Sequence, residues 1–273
     1  MGKKIASTPD NYHDLIAAAE RGDSDAVRAL LLAGDPKKAA TNNCAALCRA
    51  AEEGHLEVVR LLIPVSYPRA DDSMALKLAA VAGHVEVVRT LIPVSNPRGK
   101  NSEALSAAVK AGHLDVVREL IPFTNPKADN SAALRWAALQ DHLEIVRELI
   151  PVSDPRSKNS EALRWAAASG NQQMVAELIP VSDALSVFRD ARARAAAGGD
   201  KLDDISTLFC IAVLDALALH VDEAERDQAA ANLPAPVIER MPQLRAWREA
   251  QGVRSHLQKR KPIGAPPRRP RLS

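Results

Sequence analysis

One stretch of the chain recurs at a fixed spacing of 29 residues. Residues 101–129 read NSEALSAAVKAGHLDVVRELIPFTNPKAD, and edited copies precede and follow them. One slot of the repeat holds, in order along the chain, Gly54, Gly83, Gly112, Asp141 and Gly170. A period of about 20–50 residues is the signature of an array whose units bury their apolar faces against each other. The sequence therefore predicts a stacked solenoid.

Each repeat contains two apolar stripes with helical spacing. In residues 101–129 the first stripe includes Leu105 and Val109, and the second includes Val117 and Leu120. Because apolar residues at i, i+3 and i+4 share one helix face, the pattern indicates a pair of helices per unit. Aromatic residues are only 3% of a chain that is 47% apolar, which favours close packing of small helices over a β-sandwich. The predicted fold class is all-α.

The ends of these helices carry polar residues and glycine at fixed places. Asn101 and Ser102 have side chains that can cap the first helix, and Gly112 favours the left-handed conformation that ends it. His113 then opens the second helix. Because Asp23 and Asn171 fill the same slot in other units, the sequence predicts a capping role for this histidine.

The repeat resembles the ankyrin repeat. The form A-L-x-x-A-A-x-x-G-H-L-x-V-V-R-x-L-I, present in six edited copies over residues 10–182, is similar to the ankyrin hallmark T-P-L-H-x-A-A-x-x-G-H-x-x-V-V-x-x-L-L. The hallmark histidine of T-P-L-H is replaced by Cys48, Lys77, Ser106, Arg135 and Arg164. Loops of the form P-V-S-x-P stand where the family has a hairpin, and the unit is shorter than the usual one of about 33 residues. The resemblance implies an ankyrin-repeat solenoid of about six helix-turn-helix units with shortened hairpin loops.

Outside the repeats the composition changes. We expect residues 1–9 to be a flexible lead-in and residues 10–182 to form the solenoid. Residues 183–251 predict further helices, among them a buried one over 203–220, and are interpreted as a C-terminal helical cap or as a separate small helical domain. Residues 252–273 contain seven basic residues and no acidic one, so we expect a disordered basic tail.

Recurring histidines and charges do not indicate catalysis. The histidines occur once per repeat, so they cannot converge on one metal ion and are interpreted as turn residues: His55, His84, His113 and His142. Acid–arginine pairs three residues apart indicate a solvated helix face, with a phosphate-binding row of arginines as the alternative: Glu57–Arg60, Glu86–Arg89, Asp115–Arg118 and Glu144–Arg147.

The thiols of Cys44, Cys48 and Cys210 are interpreted as reduced, which predicts a reducing compartment. No phosphate loop, zinc-protease motif, nucleophile elbow or dinucleotide fingerprint occurs, so we expect no enzyme, cofactor or metal site.

The resemblance places partner contacts in the first helix of each repeat. The two positions before the turn glycine vary from unit to unit, and in ankyrin proteins the equivalent positions line the concave groove that holds partners. Trp136 and Trp165 share one slot of the period, and tryptophan and arginine are frequent binding hot spots, although inter-repeat packing is an alternative role. The predicted partner-binding residues are Glu52, Glu53, Lys77, Val81, Ser106, Lys110, Arg135, Trp136, Leu139, Gln140, Arg164, Trp165 and Ser169.

The predicted function is a non-enzymatic scaffold that binds a partner protein through the concave helix face. Compact repeats of this kind look similar to those of ankyrin proteins from bacteria and large viruses, so we expect a cytoplasmic bacterial adaptor or inhibitor, or an effector delivered into a host cell. The alternative is a nucleic-acid-associated regulator whose tail, residues 252–273, makes weak non-specific contacts with nucleic acid or an acidic partner. We expect no membrane span, because no run of about 18 uncharged apolar residues occurs, and no small-molecule substrate.

Overall fold

The structure, a computed structural model, describes residues 11–33, 36–198, 205–233 and 235–259. These ranges contain α-helices and short 3₁₀ segments but no β-strand, so the predicted all-α class is confirmed. No described helix is both long enough and apolar enough to span a bilayer. In chain order the α-helices are α1 (Asn11–Arg21), α2 (Ser24–Ala33), α3 (Pro36–Glu52), α4 (Leu56–Leu62), α5 (Met74–Ala82), α6 (Val85–Leu91), α7 (Gly99–Ala111), α8 (Leu114–Leu120), α9 (Ala128–Leu139), α10 (Leu143–Leu149), α11 (Ser157–Ala168), α12 (Gln172–Leu178), α13 (Ala184–Gly198), α14 (Ile205–Leu217), α15 (Glu223–Asn232), α16 (Ala235–Glu239) and α17 (Pro242–Lys259).

The chain divides into two compact units. The first unit runs to Ala166 and also includes Gln173–Ser182, whereas the second comprises Ala167–Gln172 and the chain from Asp183 onward. The helix pairs of the repeats lie almost entirely in the first unit. The interpretation of residues 183–251 as a cap or as a separate domain stays a prediction.

Within the first unit the helices form two rows. The first helices of successive repeats contact each other in the series α1, α3, α5, α7 and α9, and the second helices do so in the series α2, α4, α6, α8 and α10. Full burial of one leucine side chain stabilises a fold by about 1.5–3 kcal/mol. The same slot of successive repeats supplies such a leucine to the core: Leu47, Leu76, Leu105, Leu134 and Leu163. The predicted helix pairs and apolar stripes are therefore confirmed.

The turn glycines link neighbouring repeats in addition to ending helices. Gly83 has a φ of +82°, and a Cβ atom at this position would lie 2.7 Å from Cε1 of His113 in the next repeat. Glycine is thus required both for its backbone conformation and for the space that an imidazole occupies. The same contact recurs between Gly22 and His55, Gly54 and His84, and Gly112 and His142.

Three of the four repeat histidines bind carbonyl groups of the preceding repeat, whereas Nε2 of His142 is buried and has no hydrogen-bond partner among the described residues. Each immediately precedes a second helix, yet none makes a side-chain capping bond. The capping role predicted for His113 is therefore wrong, because its ring points back to the preceding repeat. Since a carbonyl oxygen can only accept, the Nε2 atom carries the proton in these bonds. The distances from Nε2 to oxygen are 2.9 Å for His55 to Glu20, His84 to Glu52 and His113 to Val81.

The connections between repeats contain no hairpin strand within the described ranges. After α4, α6 and α8, the residues Ile-Pro-Val or Ile-Pro-Phe form one turn of 3₁₀-helix, as at Ile92–Val94 and Ile121–Phe123. The chain then turns and enters three consecutive left-handed residues, for example Lys100, Asn101 and Ser102 with φ of +42°, +58° and +63°. Equivalent triplets occur at 71–73, 129–131 and 158–160. The shortened loops implied by the resemblance are thus reduced to turns.

Buried serine hydroxyls hold these left-handed triplets. Left-handed backbone costs about 1–2 kcal/mol for each residue other than glycine, so the triplet needs a compensating contact. The third residue is a serine whose Oγ accepts the N–H of a loop residue at 2.8 Å: Ser73 from Asn96, Ser102 from Asn125, and Ser131 from Asp154. The capping role predicted for Asn101 and Ser102 is therefore wrong, since Ser102 anchors the following loop instead.

The second unit contains helices α13 to α17. The apolar helix expected in residues 203–220 is α14, where Leu214 and Leu217 are fully buried. Glu225 of α15 is only 7% exposed and accepts hydrogen bonds from two arginines of α13, Arg189 and Arg192. A buried carboxylate is costly unless it is paired in this way, so the cluster fixes how α13 and α15 pack.

A carboxylate of α14 caps the last helix. Oδ1 of Asp215 accepts the backbone N–H of Gln243 at 2.8 Å and that of Leu244 at 3.3 Å, in the first turn of α17. Helix α17 continues to Lys259, which is past the predicted domain boundary at residue 251. The rest of the predicted basic tail, residues 260–273, lies outside the described residues.

Gly83→Ala should destabilise the repeats more than Gly170→Ala. Both glycines have positive φ, so both variants pay the conformational cost of about 1–2 kcal/mol. Only at Gly83 would the new methyl group meet an imidazole, because nothing lies within 4 Å of a Cβ at Gly170. The clash should add about 1–3 kcal/mol, measured by urea denaturation followed by circular dichroism. Adding His113→Ala should remove the excess; equal costs at both glycines would contradict the contact.

The pH dependence of stability should reveal Asp215. Burial raises the pKa of its carboxyl above the ordinary 3.8, although the bonds from Gln243 and Leu244 oppose this. The folded state therefore binds this proton more readily than the unfolded state. The associated stability is present below pH 3.8 and is lost as pH rises through the folded pKa. Relative to Asp215→Asn, which keeps an acceptor oxygen but does not titrate, the wild type should lose stability in urea denaturation as pH rises above 3.8. A constant difference between the two proteins would contradict the raised pKa.

Candidate functional site

The structure brings several of the predicted partner-binding residues onto one surface of the first unit. Residues three apart in one helix share a face, and residues 29 apart occupy the same slot of successive repeats. Six residues of α5, α7 and α9 follow both rules, and we call this surface the α5–α9 strip: Leu78, Val81, Ala107, Lys110, Trp136 and Leu139.

The α5–α9 strip is apolar and partly open to solvent. Val81 is 44% exposed and Leu139 is 36% exposed, which places both among the exposed large apolar side chains. Leu78, Ala107 and Trp136 are half-buried. A contiguous apolar surface of this kind on a folded chain is typical of a contact site.

Lys110 crosses from α7 to the tryptophan of the next repeat. Its Nζ atom lies 4.0 Å from the centroid of the Trp136 ring. An ammonium group over an aromatic face is attracted by the negative charge of the π-system, by about 0.5–1 kcal/mol at exposed sites. The contact fixes the tryptophan ring and the lysine together, in the middle of the strip.

Two other predicted site residues are ion-paired between repeats. Nζ of Lys77 lies 2.5 Å from Oε1 of Glu103 in the next first helix. The guanidinium of Arg135, which is 15% exposed, lies 2.6 Å from Oε2 of Glu161. These two cations stabilise the stacking of α5 on α7 and of α9 on α11, and they leave little surface for a partner.

Sequence reasoning missed these contacts although a signal was available. The pairs Lys77–Glu103, Lys110–Trp136 and Arg135–Glu161 all join residues 26 apart, which is one period less one helical turn. At the same spacing Ser106 faces Ala132, so no ion pair forms there. A search for complementary residues at this spacing would have separated structural charges from free ones.

The remaining predicted residues lie at the ends of this row of helices. Glu52 is bound at 2.9 Å by Arg49 of its own helix, and Glu53 beside it is exposed. Gln140 is exposed directly after α9, and Ser169 is exposed directly after α11. Arg164 and Trp165 are half-buried within α11. Within the predicted set, the two acids therefore both belong to the second repeat.

The arginines of the second helices are held by acids of two repeats. Arg89 contacts Glu86 of its own helix and, at 2.6 Å, Glu119 of the next repeat. The hydrogen bond with Glu119 raises the pKa of Arg89 and lowers that of Glu119. Similar pairs join Arg118 to Glu148 and Arg147 to Glu177. An anion would have to compete with these carboxylates, which disfavours the phosphate-binding alternative.

The row of pairs is interrupted at Arg60. This residue is exposed and forms no ion pair among the described residues, and the predicted pair with Glu57 does not form. Glu57 instead contacts Arg28 of the first repeat at 2.5 Å. Thr90 stands where the later repeats have Glu119, Glu148 and Glu177, so the acid that would receive Arg60 is missing.

A shallow cavity of about 410 Å³ lies between the third and fourth repeats. It is lined by Arg89, Ile92, Pro93, Pro97, Glu119 and Phe123. Phe123 is 49% exposed and replaces the valine found in the same slot of the neighbouring loops. Sequence reasoning missed this surface, although the substitution of an aromatic residue for valine in a repeated motif was the signal that could have found it.

The thiols show no reactive arrangement. Sγ of Cys44 lies 3.9 Å from Sγ of Cys48 on α3. Burial, followed by the neighbouring Cys44, raises the pKa of Cys48 to about 12, so this thiol stays protonated at neutral pH. Within the described ranges no group of three His, Cys, Asp or Glu side chains is placed to hold a metal ion.

Comparisons with known proteins agree with this geometry. A family model described as ankyrin repeats in three copies matches residues 15–103 and 94–159, which together exceed half of the chain. The crystal structure of the human ASB11 ankyrin repeat domain is similar to this chain with a TM-score of 0.53 and 19% sequence identity, covering 63% of this chain and 82% of that chain. At this identity the likeness shows the fold alone. No curated protein sequence matches the chain.

Thr90→Glu should complete the interrupted row of ion pairs. The new carboxylate would stand 30 residues after Arg60, the spacing of Arg89–Glu119. An exposed pair of this kind is worth about 0.2–1 kcal/mol, so a small rise in the urea midpoint at low salt is expected. Thr90→Gln is the matched control, because it has a similar size and helix propensity without charge. A gain that is equal for Glu and Gln, or that persists at about 1 M salt, would contradict an ion pair with Arg60.

Proposed function

Because this chain belongs to the ankyrin repeat family, we propose that it is a non-enzymatic scaffold that binds a partner protein through the α5–α9 strip. Ankyrin repeats are generally protein–protein interaction modules. The observation that supports the strip as the contact surface is the exposure of Val81 and Leu139 beside Trp136. Tryptophan is enriched among the few residues that supply most of the binding energy of an interface.

The repeat joints favour binding by a preorganised surface. Two of the three helices that carry the strip, α5 and α7, are linked by the His113–Val81 bond and the Lys77–Glu103 pair. The ring of Trp136 is held by Lys110 before any partner arrives. Side chains that are already ordered lose less entropy on binding, so more of the contact energy is available as affinity.

Within the predicted set, different residues are proposed to have different roles. Val81, Lys110, Trp136 and Leu139 are proposed to contact the partner directly, with Gln140 at the edge. Lys77 and Arg135 are proposed to position the helices, because both are ion-paired between repeats. Glu52 and Glu53 are proposed to give the second repeat an acidic border.

The compactness of the repeats and the basic residues of 252–273 support two classes of cellular role. The compact repeats support a cytoplasmic bacterial adaptor or inhibitor, or an effector delivered into a host cell. A nucleic-acid-associated regulator is the second proposal, supported by the seven basic residues and the absence of acidic ones in 252–273. Its contacts would be non-specific, because the tail carries no aromatic side chain for base stacking.

The combined substitution Trp136→Ala and Leu139→Ser should abolish partner capture. Truncating two anchors at the centre of an interface typically costs more than about 2 kcal/mol, or roughly 30-fold in affinity. The full chain would be immobilised in a native cell lysate, and proteins retained by the wild type and by the variant would be quantified by mass spectrometry. Circular dichroism would show that the variant is folded.

The control variant is Phe123→Val, which restores the residue of the neighbouring loops at an exposed aromatic side chain outside the strip. It should retain the same partners as the wild type. Partners that survive the double substitution but are lost with Phe123→Val would overturn the strip as the binding surface and assign it to the cavity between the third and fourth repeats.

A further inference from the structure

The α5–α9 strip contains one charge in an otherwise apolar surface. Leu78, Val81, Ala107, Trp136 and Leu139 carry no ionisable group, whereas Lys110 carries an ammonium. The exposed residues beside the strip, Ala111 and Gln140, are also uncharged. A central cation weakens binding to a purely apolar partner, because covering the ammonium removes it from water at a large cost in free energy.

Lys110 differs from three other cations on the same row of first helices. In the same row, Arg49 is paired with Glu52, Lys77 with Glu103, and Arg135 with Glu161. Lys110 forms no ion pair among the described residues, and its ammonium lies over the face of Trp136. The ring satisfies one side of the ammonium and leaves its other N–H donors without a carboxylate.

Burial of the strip therefore requires an anion from outside. A buried charge is tolerated when it is paired and hydrogen-bonded, and truncating one partner of such a pair is costly. The chain provides no acid at the spacing that serves Lys77 and Arg135, because that place is taken by Trp136. A protein that covers the strip must supply the missing carboxylate.

We propose that the partner presents a carboxylate flanked by apolar side chains, with the carboxylate bound to Lys110 and the apolar side chains against Val81 and Leu139. This inference rests on the proposed function, since it names the chemistry of the segment that the strip binds. The acidic border formed by Glu52 and Glu53 repels the same carboxylate from the second repeat. The charges of Lys110, Glu52 and Glu53 therefore favour an acidic partner segment and favour its binding at the fourth repeat rather than the second.

The test is a selection from a displayed library of random peptides against the immobilised full chain. Peptides selected by the wild type should combine Asp or Glu with neighbouring aliphatic or aromatic residues. The strongest peptide and its amide isostere, Glu→Gln or Asp→Asn, would then be measured against the wild type and Lys110→Met. Methionine keeps a flexible apolar contact with Trp136 and removes the charge. Lys127→Met is the matched control, since Lys127 is an exposed lysine without an ion pair among the described residues.

The expected result is a loss of about 10-fold or more in affinity for the wild type and for Lys127→Met when the peptide acid becomes an amide. Lys110→Met should bind both peptides with less than about a twofold difference, since the pair is already broken. Peptides that require Trp136 and Leu139 but show no preference for an acid, or an acid effect that is unchanged in Lys110→Met, would overturn this inference and leave the proposed function standing. Selection of no peptide, or of peptides that bind Trp136→Ala with Leu139→Ser as well as the wild type, would overturn both.

Discussion

The contacts between repeats depend on glycine having no side chain, because a histidine ring of the next repeat occupies that space. At Gly83 the backbone needs a positive φ, and the space of a Cβ atom is filled by the ring of His113. The same ring binds the carbonyl of Val81, so one imidazole holds the end of one first helix and the start of the next second helix. Because this contact recurs at successive repeats, the orientation of each unit is set by its neighbour, as expected for a nearest-neighbour array.

Charge pairing across the joints determines which surface is left for recognition. On the second helices, arginines are shared between acids of two repeats, as Arg89 is between Glu86 and Glu119. On the first helices, Lys77 and Arg135 are bound to acids of the following repeat. The charges that recur are therefore structural. Lys110 is the exception in this row, because it contacts the ring of Trp136 where Lys77 and Arg135 contact an acid.

Much of the fold could be predicted from the sequence because its causes are local. The period, the buried leucines such as Leu105, and the helix-ending glycines all follow from spacing and conformational preference. The roles of His113 and Ser102 could not be predicted, since each binds a group that becomes a neighbour only after the units stack. Ser102 and Asn101 have the composition of a helix cap, yet their backbone is left-handed and the serine binds Asn125.

The candidate site shows the same division. The slots that face a partner could be located from their variation between repeats and from the resemblance. Which side chains within them are free could not, because Lys77, Lys110 and Arg135 look alike in the sequence. The residue that stands 26 positions later distinguishes them, because it is an acid for Lys77 and Arg135 and is Trp136 for Lys110.

Because the glycine–histidine contact is the same between successive repeats, a repeat can be removed and the contact can form again between its two neighbours. A chain shortened by residues 84–112 would place His113 over Gly54, where the ring of His84 lies now. Glu119 would then occupy the slot of Thr90 and stand opposite Arg60. The glycine–histidine contact would form again, and Arg60 would gain an ion pair with Glu119. Trp136, however, would lose its contact with Lys110. A change in the number of repeats that preserves the stacking contacts would therefore change the proposed binding surface.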